Sequence, residues 1–575
     1  MRQFNIVVLF GLFFTIPSMA ADFVAPRDGT IANAITNANA KVNGTAYSIE
    51  ITEDISGSGT INKAVNILAD GVLSGALTFA DGPGINSEIN NITITGGGTN
   101  GAIVNSSGFT ASQAHNLILN NVTLDSNIRG SQGGAIMNTG VINVNGGTWS
   151  NNKASAGGAI YNGGTLNIDG TTISNNSAES SGGAIFTTGT LDISNATFDS
   201  NIAKVSGAAI AGQGTITTNK SKFTNNESTD AGGAIRIQNI GTPILTITDT
   251  DFIGNTSGNY GGAIALETGT INVTGGKFDT NIASGTGGAI RSRGGTITGT
   301  TFNQNRGRQG GGVYNMGALT LENVTMTNNH ADNGGGAVYN SSGDLVVKDQ
   351  SLFEGNTANS GGGAFMISGG NTATISDAIF KGNKSANGSG GAVMIAGTGK
   401  VTVTNSTFSD NHADNQYGGG FYSTSMDSYL DNVTFENNSA NMGCGLIHMG
   451  YKQSGGTITA GFMTIGGNSV FKNNTANAGG AVFNVATLNL DTTDGNIIFT
   501  GNTSDFGADI ANNDDPSLIA TINIIGDTNV LFMDGGIAGP GLINKTGANE
   551  LIFGVTADNT AFTGTYTQSA GETTV

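Results

Sequence analysis

The chain has 575 residues, of which 93 are Gly, 6 Pro and one Cys, with 11% charged and 7% aromatic residues and a net charge of −19. Helix formers this scarce among so much glycine exclude a helical bundle, and a lone cysteine excludes an internal disulfide framework. The acidic balance argues against nucleic acid or an anionic membrane as a partner, because both repel an acidic surface.

The first segment carries Arg2, an apolar run from Phe4 to Ile16, and Ser18-Met19-Ala20 as a small-x-small site. That is the pattern of a cleaved signal peptide over residues 1–20, so the mature chain is expected to be exported. The run is too short for a comfortable membrane span. Residues 21–56 follow, with Ile31, Ala34, Ile35, Ala38 and Val42 at helical spacing ahead of a strand-like Tyr47 to Thr52. They are expected to form a short N-terminal cap and first strand over the open end of what comes next.

Residues 57–515 hold a repeat. An apolar-x-x-Asn element occurs fifteen times, beginning at Leu124, Trp149, Ile173, Phe198, Phe223, Phe252, Phe278, Phe302, Met326, Phe353, Phe380, Phe408, Phe435, Phe471 and Phe499. Its spacing of about 27 residues lies in the range of solenoids. Gly-Gly-Ala-Ile or a relative follows each Asn, as at Gly182 to Ile185 and Gly261 to Ile264, and alternating pairs such as Leu191-x-Ile193 precede the next element. Alternation puts the apolar side chains on one face, and a unit of short strands closes a core only by pairing with its neighbours. The expected fold is therefore all-β, a right-handed parallel β-helix.

In that fold the aromatic positions stack inward and the Asn positions, placed at the turns in left-handed φ, form a hydrogen-bonded ladder. Phe198 and Asn201, Phe223 and Asn226, Phe252 and Asn255, Phe278 and Asn281, and Phe408 and Asn411 are its clearest members. Trp149 occupies the Phe slot and is expected in the core, and Cys444 stands in the Ala slot as small buried filler.

The repeat fades after Gly507-Ala508-Asp509-Ile510, and residues 516–575 read as a terminal module, incomplete at Val575. The paired Gly-Gly-Ala-Ile and Phe-x-x-Asn elements of residues 101–510 resemble the passenger domains of autotransporters, specifically the repeats of polymorphic outer-membrane proteins. The stretch from Gly539 to Gly571 is similar to the repeat that precedes the translocating barrel in such proteins. The resemblance implies a protein secreted or held at the outer-membrane surface of a Gram-negative bacterium. It further implies adhesion or display as the function, with a barrel translocator absent from this chain as partner and a ligand on a host or bacterial surface.

Enzymatic alternatives on this fold, polysaccharide lyases and hydrolases, need two or three carboxylates converging on one groove. Here the acidic residues are scattered; Asp514-Asp515 reads as a turn, and His330 and His412 lie three repeats apart as turn decorations. No catalytic residue, cofactor or metal site is expected. The remaining alternative is a passive surface coat or antigen without a specific ligand. The longest interval, Phe435 to Phe471, departs most from the repeat, and its His448, Met449, Tyr451 and Lys452 are the expected ligand contacts.

Overall fold

A computed structural model of the chain describes residues 86–95, 103–105, 116–238, 243–368, 372–397, 399–425, 427–443, 445–448, 451–452, 458–459, 461–513 and 519–575, together with separate strands between Phe4 and Phe79. The helically spaced residues of the expected cap, Cys444 and Asp514-Asp515 lie outside the described residues. The described chain divides into two compact units, Met1–Asn272 and Val273–Val575, and each is a parallel β-solenoid.

One coil of the first unit shows how the sequence makes the fold. A long strand, Thr165–Asp169, is followed by a ladder strand, Thr172–Ser174, a short strand, Ser177–Ala178, and a glycine strand, Ile185–Thr187. Each pairs in parallel, without a register slip, with its counterpart in the coil before and the coil after. Alternation decides which side chains of a strand go inward: Leu166, Ile168, Ile173, Ala178 and Ile185 are buried, while Asn167, Asp169, Thr172, Ser174, Ser177 and Phe186 are partly or fully exposed. Because no strand closes a core alone, the apolar column exists only through the stack.

The corners are set by backbone conformation. The residue just before each of the fifteen ladder asparagines has φ between 52° and 63°, from Ser126 to Gly501. The left-handed position is thus one residue earlier than the spacing predicts, because the ladder Asn itself turns its side chain into the core. The second corner is made by the glycine pair. Gly182 has φ +69°, while a Cβ on Gly183 would overlap the carbonyl oxygens of Ala208 and Ile202 in the next coil. One glycine supplies conformation and the other supplies room.

The ladder side chains are fully withdrawn from water. In the first unit, Asn201 donates from Nδ2 to Asn226 Oδ1 at 3.0 Å and to the Ile173 carbonyl at 3.0 Å, and its backbone N–H reaches Asn226 Oδ1 at 3.1 Å. The pattern repeats from Asn127 to Asn255. In the second unit it runs from Asn281 to Asn502. Phe198, Phe223 and Phe252 stack at 4.7 and 4.8 Å in the first unit. In the second, Phe380, Phe408, Phe435 and Phe471 do so at 4.8, 4.6 and 5.2 Å. Trp149 occupies the same column and is buried.

A second buried polar ladder follows the glycine strand, where Asn138 donates to Asn162 at 2.7 Å and Asn162 to Thr187 at 3.0 Å. In the second unit Asn315 and Asn340 repeat it at 2.6 Å.

The coils do not stop near residue 515. Thr521–Gly526 pairs in parallel with Thr487–Thr492, then with Leu542–Lys545, which pairs with Thr565–Gln568. The aromatic column likewise continues, Phe499 to Phe532 at 4.8 Å and Phe532 to Phe553 at 5.1 Å. What reads in sequence as a module of different character is built on the same stack, with Asp534-Gly535-Gly536 standing before Ile537 in place of Gly-Gly-Ala.

Candidate binding surface

Most described strands present a row of side chains outward, so the coils offer rows as their main contact surface. The interruption of these rows in the second unit coincides with the interval singled out in the sequence. The glycine strand Leu446–His448 pairs in parallel with Phe421–Ser423 and Val482–Asn484, and the following long strand, Phe462–Gly466, pairs with Asp427–Asp431 and Thr487–Thr492. Between them Tyr451–Lys452 pairs antiparallel with Ile458–Thr459. Among the described residues of this unit it is the one antiparallel pair, and it makes the interval a hairpin excursion from the coil. His448 closes a core strand, Tyr451 and Lys452 form one arm of the hairpin, and Met449 lies outside the described residues.

Two aromatic side chains missed in the sequence flank the root of the excursion. Tyr429 and Phe462 are exposed, on adjacent long strands whose register places Asp427 opposite Phe462 and Tyr429 opposite Thr464. Tyr429 takes the outward place that is Thr402 one coil earlier. An aromatic at an outward position of an alternating strand was the available signal. Burial and the nearby carboxylates of Asp431, Asp491 and Asp494 push the Tyr429 hydroxyl above its ordinary value, so it stays protonated at neutral pH. The hydroxyl donates to Asp431 Oδ1 at 3.4 Å.

The short-strand face of the second unit carries a polar row in register: Arg306, His330, Thr357, Lys384 and His412. His330 and His412 therefore sit on strands, not in turns, three coil steps apart on one row. The row is held by its own carboxylates. Asp332 meets Arg306 at 2.8 Å and His330 Nε2 at 3.2 Å, His330 Nδ1 meets Thr357 Oγ1 at 2.8 Å, and Lys384 meets Asp414 at 2.7 Å.

In the first unit Glu179 bridges Lys204 and Lys153, whose hydrogen bonds hold its carboxyl at about 2. The site is fully exposed, and such pairs add little stability. Among the described residues no group of three or more His, Cys, Asp or Glu side chains is arranged to hold a metal ion.

The repeat of the Chlamydia polymorphic membrane protein matches this chain in three places, residues 170–188, 249–267 and 323–341. Each segment contains one ladder asparagine, Asn176, Asn255 or Asn329, and the glycine pair that follows it. The matched unit is thus one corner-to-corner piece of a coil. No curated protein and no solved structure matches the chain. Polymorphic membrane protein repeats on a parallel β-solenoid fit a surface-displayed passenger.

Proposed function

We propose that this chain is the passenger of a bacterial surface protein of the polymorphic outer-membrane type, exported through its leader and used for adhesion. A barrel translocator outside this chain would carry it across the outer membrane. The observation that carries the reading is the coincidence of the three matched repeats with the hydrogen-bonded asparagine corners of the coils. A scaffold stabilised by stacking rather than by disulfides suits a chain that folds after crossing a membrane, and its outward rows offer long contact surfaces. The excursion at Tyr451–Lys452 and Ile458–Thr459, with Tyr429 and Phe462 at its root, supplies the ligand contacts.

The test displays residues 21–575 on an inert bacterium and counts adherence to host cells and to sister bacteria. Adherence should rise several-fold and fall back when residues 449–460 are replaced by a short glycine-serine turn. Unchanged adherence on every surface, with β-structure confirmed by circular dichroism, would favour a passive coat or antigen instead.

A further inference from the structure

The Asn ladder of the second unit ends in a carboxyl. The next aromatic of the column after Phe499 is Phe532, and the residue three places on, where an asparagine stands in fifteen earlier repeats, is Gly535. The empty slot is filled from another part of the coil. Asp509 occupies the position that is Ala in Gly-Gly-Ala-Ile, and its Oδ1 accepts the Asn502 Nδ2 hydrogen bond at 2.9 Å, as the missing Asn would. A Cβ on Gly535 would meet Asp509 Oδ2 at 2.5 Å, so the glycine and the acid fit only together. Asp509 is fully buried, and Oδ2 faces the Gly535 backbone without a well-formed hydrogen bond.

Burial opposes the ionisation of Asp509, and the Asn502 amide and the Gly535 backbone N–H, which favour the charged form, offset this only in part. From the ladder strand side it faces the neutral amide of Asn502, and from the preceding coil the N–H groups of Ala481 and Val482 donate to its carbonyl, not to its carboxyl. From the following coil it faces Gly535, Gly536 and Asp534, and the Asp534 charge adds repulsion; Asp505 is the other acid of its own turn. Burial, the largest cause, pushes the Asp509 carboxyl up to about 7.

We propose that Asp509 is a proton-controlled latch: protonated, it completes the ladder and holds the coils of residues 519–575 on the stack, and ionised, it loosens them. The contact at stake is the one through which Asp509 and Ile510 donate their N–H groups to the Gly536 carbonyl, both at 3.2 Å. The sign follows from linkage. A carboxyl raised in the folded state contributes its stability fully below its unfolded value near 4, and loses it progressively as pH rises from there to the folded value near 7, above which nothing more is lost. Between pH 5 and pH 8 the closing equilibrium of these coils should fall roughly 10- to 100-fold.

Hydrogen exchange followed by mass spectrometry on the full chain, corrected for intrinsic rates, tests this. Protection in peptides covering residues 519–553 should drop by that factor from pH 5 to pH 8, with most of the fall complete by about pH 7 and a plateau above it, while peptides covering residues 321–411 stay constant. Asp509→Asn should flatten the profile, and Asp509→Ala, which restores the small residue of other coils, should do the same at lower overall protection. A flat wild-type profile, or an unchanged slope in either variant, overturns the latch; the wild-type profile decides alone if neither variant folds.

Discussion

Asn329 shows why the corner residue of each coil is an asparagine. Its Oδ1 accepts from both the backbone N–H and Nδ2 of Asn305, while its own Nδ2 donates to the Phe302 carbonyl and to Asn356 Oδ1. The position needs an acceptor and a two-proton donor on a side chain short enough to lie flat in the corner. Aspartate supplies no donor and buries a charge, and serine does not span the gap. Removing the amide leaves several buried groups without partners, each costing about 1–3 kcal/mol. Asn329→Ala should therefore destabilise the second unit by about 3 kcal/mol in urea unfolding, whereas Thr327→Ala, on the outward face of the adjoining strand, should stay within about 0.5 kcal/mol.

At the scale of the element, legibility in the sequence tracked side-chain pattern and failed where backbone conformation decided. The inward column was readable because Leu166, Ile168 and Ile173 alternate with polar residues, and because Phe recurs at a fixed place. The two-residue short strands were not, since Ser177–Ala178 or Arg306–Gly307 carries no apolar alternation and exists only through its neighbours in the stack. The left-handed residue was assigned one place late because the Asn was credited with the turn. The position before it accepts Ser, Asn, Gly and even β-branched Thr280 at φ 55°. That last choice stores strain, since branched side chains avoid this region. Thr280→Gly, which matches Gly254, Gly355, Gly382 and Gly501 at equivalent corners, should raise stability by about 0.5–1 kcal/mol despite losing an exposed hydroxyl contact, and a shift of the unfolding midpoint to higher urea would register it.

For the whole molecule the physical constraint is nearest-neighbour dependence: each coil is stable only against the coil beside it, so function is confined to what the rows and their interruptions present. The excursion was visible in the sequence as the longest interval between ladder elements, whereas its flanking Tyr429 and Phe462 were legible only as single aromatics at outward strand positions, which carry no periodic signal of their own. Likewise the exchange of an Ala for Asp509 and of an Asn for Gly535 reads as loss of the repeat in sequence and as its completion in space. With a net charge of −19, Arg306, His330 and Lys384 of the surface row are held by its own aspartates rather than left free for an anionic partner. As proposed, this solenoid stands outside the cell. Antibodies raised against residues 21–575, applied to intact and unpermeabilised cells that make the protein, measure it directly: staining that brief external protease removes is the predicted result, and staining seen only after permeabilisation would contradict the account.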